Sequence, residues 1–210
     1  MTKADKLERM LSEGLEAMEI AATATQQSRL LQFLGLLQKW NRVYNLTSID
    51  GPAEMLRLHL LDSLSVLPYL HGARVLDVGT GAGLPGIPLA LLAPDKEFTL
   101  LDSNSKKTRF VRQAAIELGL ANVKVAHERI ERFRAAEGFD SLLARAFADL
   151  PEIVAQTHRL LNPGGIILAQ KGKIAQDELK SVENAAVEVF PLHIPGIGAE
   201  RHLIAIKVRG

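Results

Sequence analysis

The chemistry easiest to read in this chain lies in Asp77-Val78-Gly79-Thr80-Gly81-Ala82-Gly83. The segment follows Val75-Leu76, which opens a short apolar strand, and precedes Ile87 to Leu92, which reads as a helix. Glycines at Gly79, Gly81 and Gly83 leave no side chain between the backbone and an approaching ligand. The helix N-terminus behind the bend offers unpaired N–H groups, which suit a carboxylate. Asp77 would attract a cationic ligand and repel a pyrophosphate. A competing pattern occupies the same stretch. Gly81-Ala82-Gly83-Leu84-Pro85-Gly86 is a literal G-x-G-x-x-G, the dinucleotide fingerprint. A glycine-rich turn without a ligand is the third reading.

Other candidates fall at the ends of later apolar runs. Asp102 closes Phe98-Thr99-Leu100-Leu101 and is followed by Ser103. A carboxylate there suits two neighbouring ribose hydroxyls; alternatively it caps a helix beginning at Ser105. In His127-Glu128-Arg129-Ile130-Glu131, Ile130 could pack on a purine face, or the segment is only an amphipathic turn. Arg145 ends Ser141-Leu142-Leu143-Ala144. Its guanidinium could bind phosphate or a guanine edge, or form a structural salt bridge. Lys106, Lys107, Arg109 and Arg112 form a basic stretch, and Lys171, Arg201 and His202 fall near the same rim. They could meet a nucleic-acid backbone or be solvated. His59 and Asp62 share a helix face, as an orienting pair or as an interior histidine with its partner.

These residues need elements to hold them. The chain to about residue 70 reads as helical. Leu30, Leu34, Leu37 and Val43, with Leu31 and Trp40, follow one helical spacing. Leu56, Leu60, Leu64 and Leu67 follow another over Ala53 to Leu67, with Asp50 or Ser48 as cap and Pro52 in the first turn. From Arg74 short strands alternate with helices over Lys106 to Leu118, Ile153 to Leu161 and about Gln176 to Ala186. Val123 to Val125 is a further strand. Asn162 to Gly165 is a turn before a strand at Ile166 to Ala169. The last strands, near Val187 to Ile194 and Arg201 to Val208, have no helix between them and should form an antiparallel hairpin. The expectation is an α/β fold, a mostly parallel Rossmann-like sheet with a C-terminal hairpin. Residues 1–70 are expected to form a helical extension packed on a core domain of 71–210, making one structural unit. Ligands of such sheets sit beyond the strands' carboxyl ends, where Asp77, Asp102 and Arg145 fall.

Composition narrows the rest. The 210 residues are 47% hydrophobic and 23% charged, as in a globular domain. Lys and Arg number 25 against 24 Asp and Glu, a net +1, so any polyanion would need a local patch. Cysteine is absent, which excludes disulfides, thiolate metal sites and a cysteine nucleophile. No metal is expected. No signal peptide and no membrane span are visible. A cytoplasmic monomer is the expectation.

A parallel sheet finished by a hairpin, with an acid before the glycine bend, is the plan of class I S-adenosylmethionine-dependent methyltransferases. The cofactor's cationic amino-acid end would suit Asp77. Enzymes acting on exocyclic base amines often carry Asp/Asn-Pro-Pro-aromatic after the fourth strand. Here that position reads Ala144-Arg145-Ala146-Phe147. Pyrimidine C5 chemistry usually needs a cysteine. A ring nitrogen with a free lone pair, such as guanine N7, needs neither device. Other acceptors, a non-catalytic nucleotide-binding module and a nicotinamide-linked oxidoreductase remain open at this point.

The chain resembles the RsmG (glucose-inhibited division protein B) family of bacterial rRNA guanine-N7 methyltransferases over nearly its whole length. The resemblance rests on Lys39-Trp40-Asn41, Tyr44-Asn45-Leu46-Thr47-Ser48, His59-Leu60-Leu61-Asp62-Ser63, Asp77 through Pro88, Leu101-Asp102-Ser103, Arg145-Ala146-Phe147 and Glu200-Arg201-His202. It implies S-adenosyl-L-methionine contacts at Gly79, Leu84, Ile130, Glu131 and Arg145, with Asp102 near the ribose. It also implies transfer to guanine N7 in a 16S rRNA loop, on RNA or on the small ribosomal subunit. One departure stands out. An arginine is expected immediately before His59, but Leu58 is there and Arg57 comes one residue earlier.

Overall fold

The computed structural model describes residues 2–174, 176–182 and 184–208. Helix α1 (Lys3–Ala17) begins with a reciprocal cap. The Thr2 hydroxyl accepts from the Asp5 amide, and Asp5 accepts from the Thr2 amide. Helix α2 (Ala24–Tyr44) uses the same device with Thr23 and Gln26 and ends at Asn45, which takes the left-handed conformation. Its buried face is Leu30, Phe33, Leu34, Leu37 and Asn41. Val43, expected on that stripe, is 71% exposed, and Phe33 fills the core instead.

The expected helix from Ala53 is interrupted. It comprises α3 (Pro52–Met55), a π-helical turn (Leu56–Leu61) and α4 (Asp62–Leu64). Gly51, not Asp50 or Ser48, precedes it, without a side-chain cap. Leu56, Leu60 and Leu64 are fully buried as the spacing requires. The π-turn carries His59 and delivers Asp62 at its end.

Seven strands follow: β1 (Arg74–Val78), β2 (Glu97–Asp102), β3 (Val123–His127), β4 (Phe139–Arg145), β5 (Leu161–Lys171), β6 (Ala185–Pro191) and β7 (His202–Val208). Their order in the sheet is β3-β2-β1-β4-β5-β7-β6. The pairings from β3 through β5 are parallel, and β7 is antiparallel to both neighbours. The expected hairpin is therefore present. Helices α5 (Gly86–Leu92), α6 (Ser105–Glu117), α7 (Leu150–Thr157) and α8 (Gln176–Lys180) complete the chain. Helix α7 starts earlier than its apolar spacing suggests, because Asp149 caps it by accepting from the Glu152 amide. The expected turn at Asn162 to Gly165 lies inside β5 as an irregularity. Pairing with β4 passes from Leu161 to Ile166, and Gly164 has φ +79. The helix expected to reach Ala186 stops at Lys180, with Ala185 and Ala186 already in β6. Residue 183, within that expected helix, lies outside the described residues.

Two apolar layers sandwich the sheet. One joins α1, α2 and the π-turn to α5, α6 and one sheet face. The other joins α7 to the opposite face. Phe33 and Trp40 of α2 meet Phe110 of α6 with ring centroids 6.2 and 5.6 Å apart. The N-terminal helices thus share one core with the sheet.

Strand order reverses between β1 and β4, and this opens a crevice at their carboxyl ends. The bend after β1 is braced from below. Asp77 is 1% exposed, and its Oδ2 accepts from the Thr80 hydroxyl at 2.6 Å and the Gly86 amide at 2.9 Å. Burial pushes the Asp77 carboxyl up from 3.8 to about 6, partly offset by these hydrogen bonds. The folded chain therefore holds this proton more tightly than the unfolded one. Folding takes up protons between those two values, so stability falls as pH rises through that window. Urea unfolding of ligand-free protein should show a decline of about 1–3 kcal/mol from this group. Asp77→Asn should flatten the decline. An unchanged slope in the variant would remove Asp77 as its source.

Candidate active site

Two cavities of about 380 Å³ each open at the carboxyl edge of the sheet. The first lies over the ends of β1, β2 and β3 and the loop after β4. Gly79, Asp102, Ser103, Ile130 and Glu131, all marked in the sequence, are in its wall, together with Lys107 and Phe147. Asp102 braces the bend from the side. Its Oδ2 accepts from the Gly81 amide at 2.8 Å, and its Oδ1 accepts from the Asn104 amide at 2.8 Å. The residue is only 9% exposed. Asn104, not Asp102, caps α6, accepting from the Lys106 and Lys107 amides.

The glycines serve different ends. Gly79 has φ +65, and a Cβ there would come within 2.7 Å of the Phe147 ring. Gly83 has φ +78, and a Cβ there would come within 2.7 Å of Ile87. The first glycine thus keeps the cavity wall open, while the second lets α5 pack against the bend. Asp77, Gly83 and Leu84 are buried behind the wall and Leu84, 4% exposed, belongs to the core; Gly81 is half-buried beside it.

The second cavity lies beside the first, over the ends of β4 and β5. Its wall includes His59, Asp62, Arg145, Gln170, Arg201 and His202. Ala146, with φ +50, belongs to both cavities and forms the partition between them. Asp62 is the centre of the second cavity's charge. Arg145 Nη1 stands 3.1 Å from Oδ2, and Arg201 Nε 3.2 Å from Oδ1. The Asp62 side chain is 8% exposed, so both arginines meet a largely desolvated carboxylate. Arg145 is thus placed in the second cavity, in an ion pair. Gln170 Nε2 donates to the Asp62 carbonyl at 2.9 Å. Lys171 Nζ donates to the Ala148 carbonyl at 2.9 Å and pairs with Glu178 at 2.7 Å. His202 Nδ1 lies 2.7 Å from the Gly172 carbonyl.

His59 and Asp62 do not bond each other. His59 Nε2 lies 2.9 Å from the Thr47 hydroxyl, and Thr47 is itself held by its amide donating to Asn41 Oδ1 at 2.8 Å. Burial, reinforced by the nearby Arg145 charge, pulls the His59 pKa from 6.5 down to about 4. The imidazole is therefore neutral near pH 7.

Of the basic residues marked in the sequence, Lys106 and Arg109 are exposed on α6, and Lys107 reaches the first cavity. Arg57 lies against Gly196, where a Cβ would sit 2.6 Å from its Nε. Thr47 and Phe147 stood in the sequence motifs without a site role, and Gln170 was not marked at all. Gln170 was reachable in principle, since parallel pairing sets it opposite Arg145 at the strand ends.

Comparison with known proteins places this geometry. A SAM-dependent methyltransferase from Aquifex aeolicus superposes with TM-score 0.61 at 18% identity, over 78% of this chain and 97% of its own. That likeness is one of fold. In sequence, the ribosomal RNA small subunit methyltransferase G of Methylococcus capsulatus is 56% identical over 96% of this chain and 98% of its own. The protein of the same name from Nitrosococcus oceani is 49% identical over 96% and 95%. The model of the GidB family, described as rRNA small subunit methyltransferase G, matches residues 26–204. A match of that extent, with two relatives similar along nearly their full lengths, makes this chain a member of the GidB family.

Proposed function

We propose that the protein transfers a methyl group from S-adenosyl-L-methionine to N7 of a guanine in 16S rRNA. The observation that carries this reading is the pair of neighbouring cavities that share Ala146 in their walls. One is suited to the cofactor and the other to a base brought to its edge.

The first cavity's volume falls within the usual range for small-molecule sites, roughly 300–1,000 Å³. Asp102 would accept from the ribose hydroxyls, since each oxygen has spent only one acceptor direction on a backbone amide. Ile130 and Leu101 would line the purine, with Ser103 and Glu131 at its polar edge. Gly79 would let the bend's backbone close on the amino-acid end. When bound, the cofactor supplies an electrophilic methyl group.

The protein's own task is positioning. Guanine N7 carries a free lone pair, so no side chain has to remove a proton. What the residues must supply is alignment across the Ala146 partition and a field that tolerates positive charge on the methylated base. The Asp62 carboxylate is the negative charge in that field, set against the two guanidinium groups that flank it. Lys107 at the first cavity's rim, with Lys106 and Arg109 beside it, is offered as the contact to the RNA backbone, aided by Lys171, Arg201 and His202 near the second.

The reading is tested by incubating rRNA or small subunits from a strain lacking the gene with the protein and labelled cofactor. Mass spectrometry should find 7-methylguanine in 16S rRNA, and a methylated product without it would overturn the guanine assignment. Asp102→Ala should weaken cofactor binding in calorimetry by about 1–3 kcal/mol, from lost charge-assisted hydrogen bonds and a loosened bend. Unchanged affinity would remove Asp102 from the site. Arg145→Ala should lower kcat/KM by roughly ten- to a hundredfold while changing the unfolding midpoint far less. Wild-type turnover in that variant would exclude a role in transfer.

A further inference from the structure

We propose that His59 is an acceptor-binding residue whose Nδ1–H donates a hydrogen bond to O6 of the target guanine and so leaves N7 free for transfer; the inference rests on the function proposed above. Its first support is the tautomer. The Thr47 hydroxyl accepts from the Ile49 amide at 3.2 Å. The only acceptor within reach of its own proton, among the described residues, is His59 Nε2 at 2.9 Å. A hydroxyl that has already accepted one bond satisfies its donor by giving it to Nε2. The neutral ring then carries its proton on Nδ1. That atom is buried and makes no well-formed hydrogen bond among the described residues, although the Leu58 main chain is close enough to favour a protonated ring and His59 is in the wall of the second cavity. A buried donor without a partner is costly, and an incoming acceptor relieves the cost.

The second support is the kind of donor that N7 transfer needs. Guanine presents N7 and O6 side by side, and an arginine reads both at once with its fork. Such a contact would occupy the lone pair that has to attack. Here each guanidinium is anchored to an oxygen of Asp62 through one nitrogen, Arg145 by Nη1 and Arg201 by Nε, which holds both away from free rotation toward the base. A single-pronged donor at O6 holds the base without touching N7. The third support is charge. Methylation at N7 makes the base a cation. An imidazolium beside it would oppose that change, while a neutral imidazole does not. Burial and the Arg145 charge keep the ring neutral, with Arg201, Lys171 and the Asp62 carboxylate completing the charged groups of the wall. No proton moves at His59 in this scheme.

Two substitutions separate this role from a structural one. His59→Asn places an amide N–H near the Nδ1 position and gives up Thr47. His59→Gln reaches toward Thr47 and gives up the Nδ1 donor. In transfer to rRNA, H59N should keep most of the wild-type kcat/KM, and H59Q should lose roughly ten- to a hundredfold. Calorimetric affinity for S-adenosyl-L-methionine should be unchanged in both, since His59 is outside the first cavity. The reverse order, or equal losses, would overturn the assignment. A measurement on wild-type protein covers the case in which a variant fails to fold. Nitrogen-15 spectra of the histidine rings at pH 7 should show His59 neutral with its proton on Nδ1, and a proton on Nε2 would overturn the proposal. If wild-type protein makes no 7-methylguanine, the proposed function itself fails. If it does, and the variants fall in the wrong order, only the role of His59 fails.

Discussion

Much of the site hangs on one carboxylate. Asp62 draws together three parts of the chain that are far apart in sequence: the π-turn, the end of β4 through Arg145, and the approach to β7 through Arg201. Its main-chain carbonyl adds the end of β5 through Gln170. Two opposite charges on either side of a buried carboxylate compensate its desolvation, and each arginine depends on it in turn. Removing one partner of a buried pair generally costs about 3–5 kcal/mol, because the remaining charge is left without compensation. Here the arginines are partly exposed, which moderates the figure and leaves the geometry as the main consequence. Without Asp62 the forks of Arg145 and Arg201 would be free to turn toward whatever enters the cavity.

The same economy of contacts governs the glycine bend. It is held from below by Asp77 and from the side by Asp102, and the Thr80 amide donates to the Leu101 carbonyl at 3.0 Å. The bend is thus fastened to β2 by main-chain and side-chain bonds together. Asp102 serves as brace and cavity wall at once. Preorganisation of this kind means that ligand binding need not order the loop.

The sequence made the sheet, its hairpin and the main wall of the first cavity legible, and for identifiable reasons. Gly79, Asp102, Ser103 and Ile130 sit where strand ends meet loops, and a strand end is set by local pattern. Asp77 was visible as an acid but not as a buried one, since its burial depends on Leu100 and Gly86 closing over it. The π-turn could not be read at all. Its apolar spacing is that of an ordinary helix, and its packing against α1 and α2 is a tertiary contact that no local pattern announces. The second cavity was opaque for a similar reason. Arg145 and Arg201 announce charge, but their common partner lies 83 and 139 residues away in sequence, a pairing that only the assembled fold creates. Thr47 was visible as part of a motif, yet nothing local tells that its hydroxyl meets a histidine.

Strand β7 occupies an interior position, between β5 and β6, although it follows both in the chain. During synthesis β5 therefore emerges with one edge bare, and β6 cannot cover it, because the slot between them belongs to a later segment. The edge waits until residues 202–208 leave the ribosomal tunnel. Arg201 immediately precedes that segment, and its arrival completes the carboxylate clamp. The nascent chain can thus build the first cavity's strands well before the second cavity exists. Maturation is ordered by topology, with the wall facing the proposed RNA finished last.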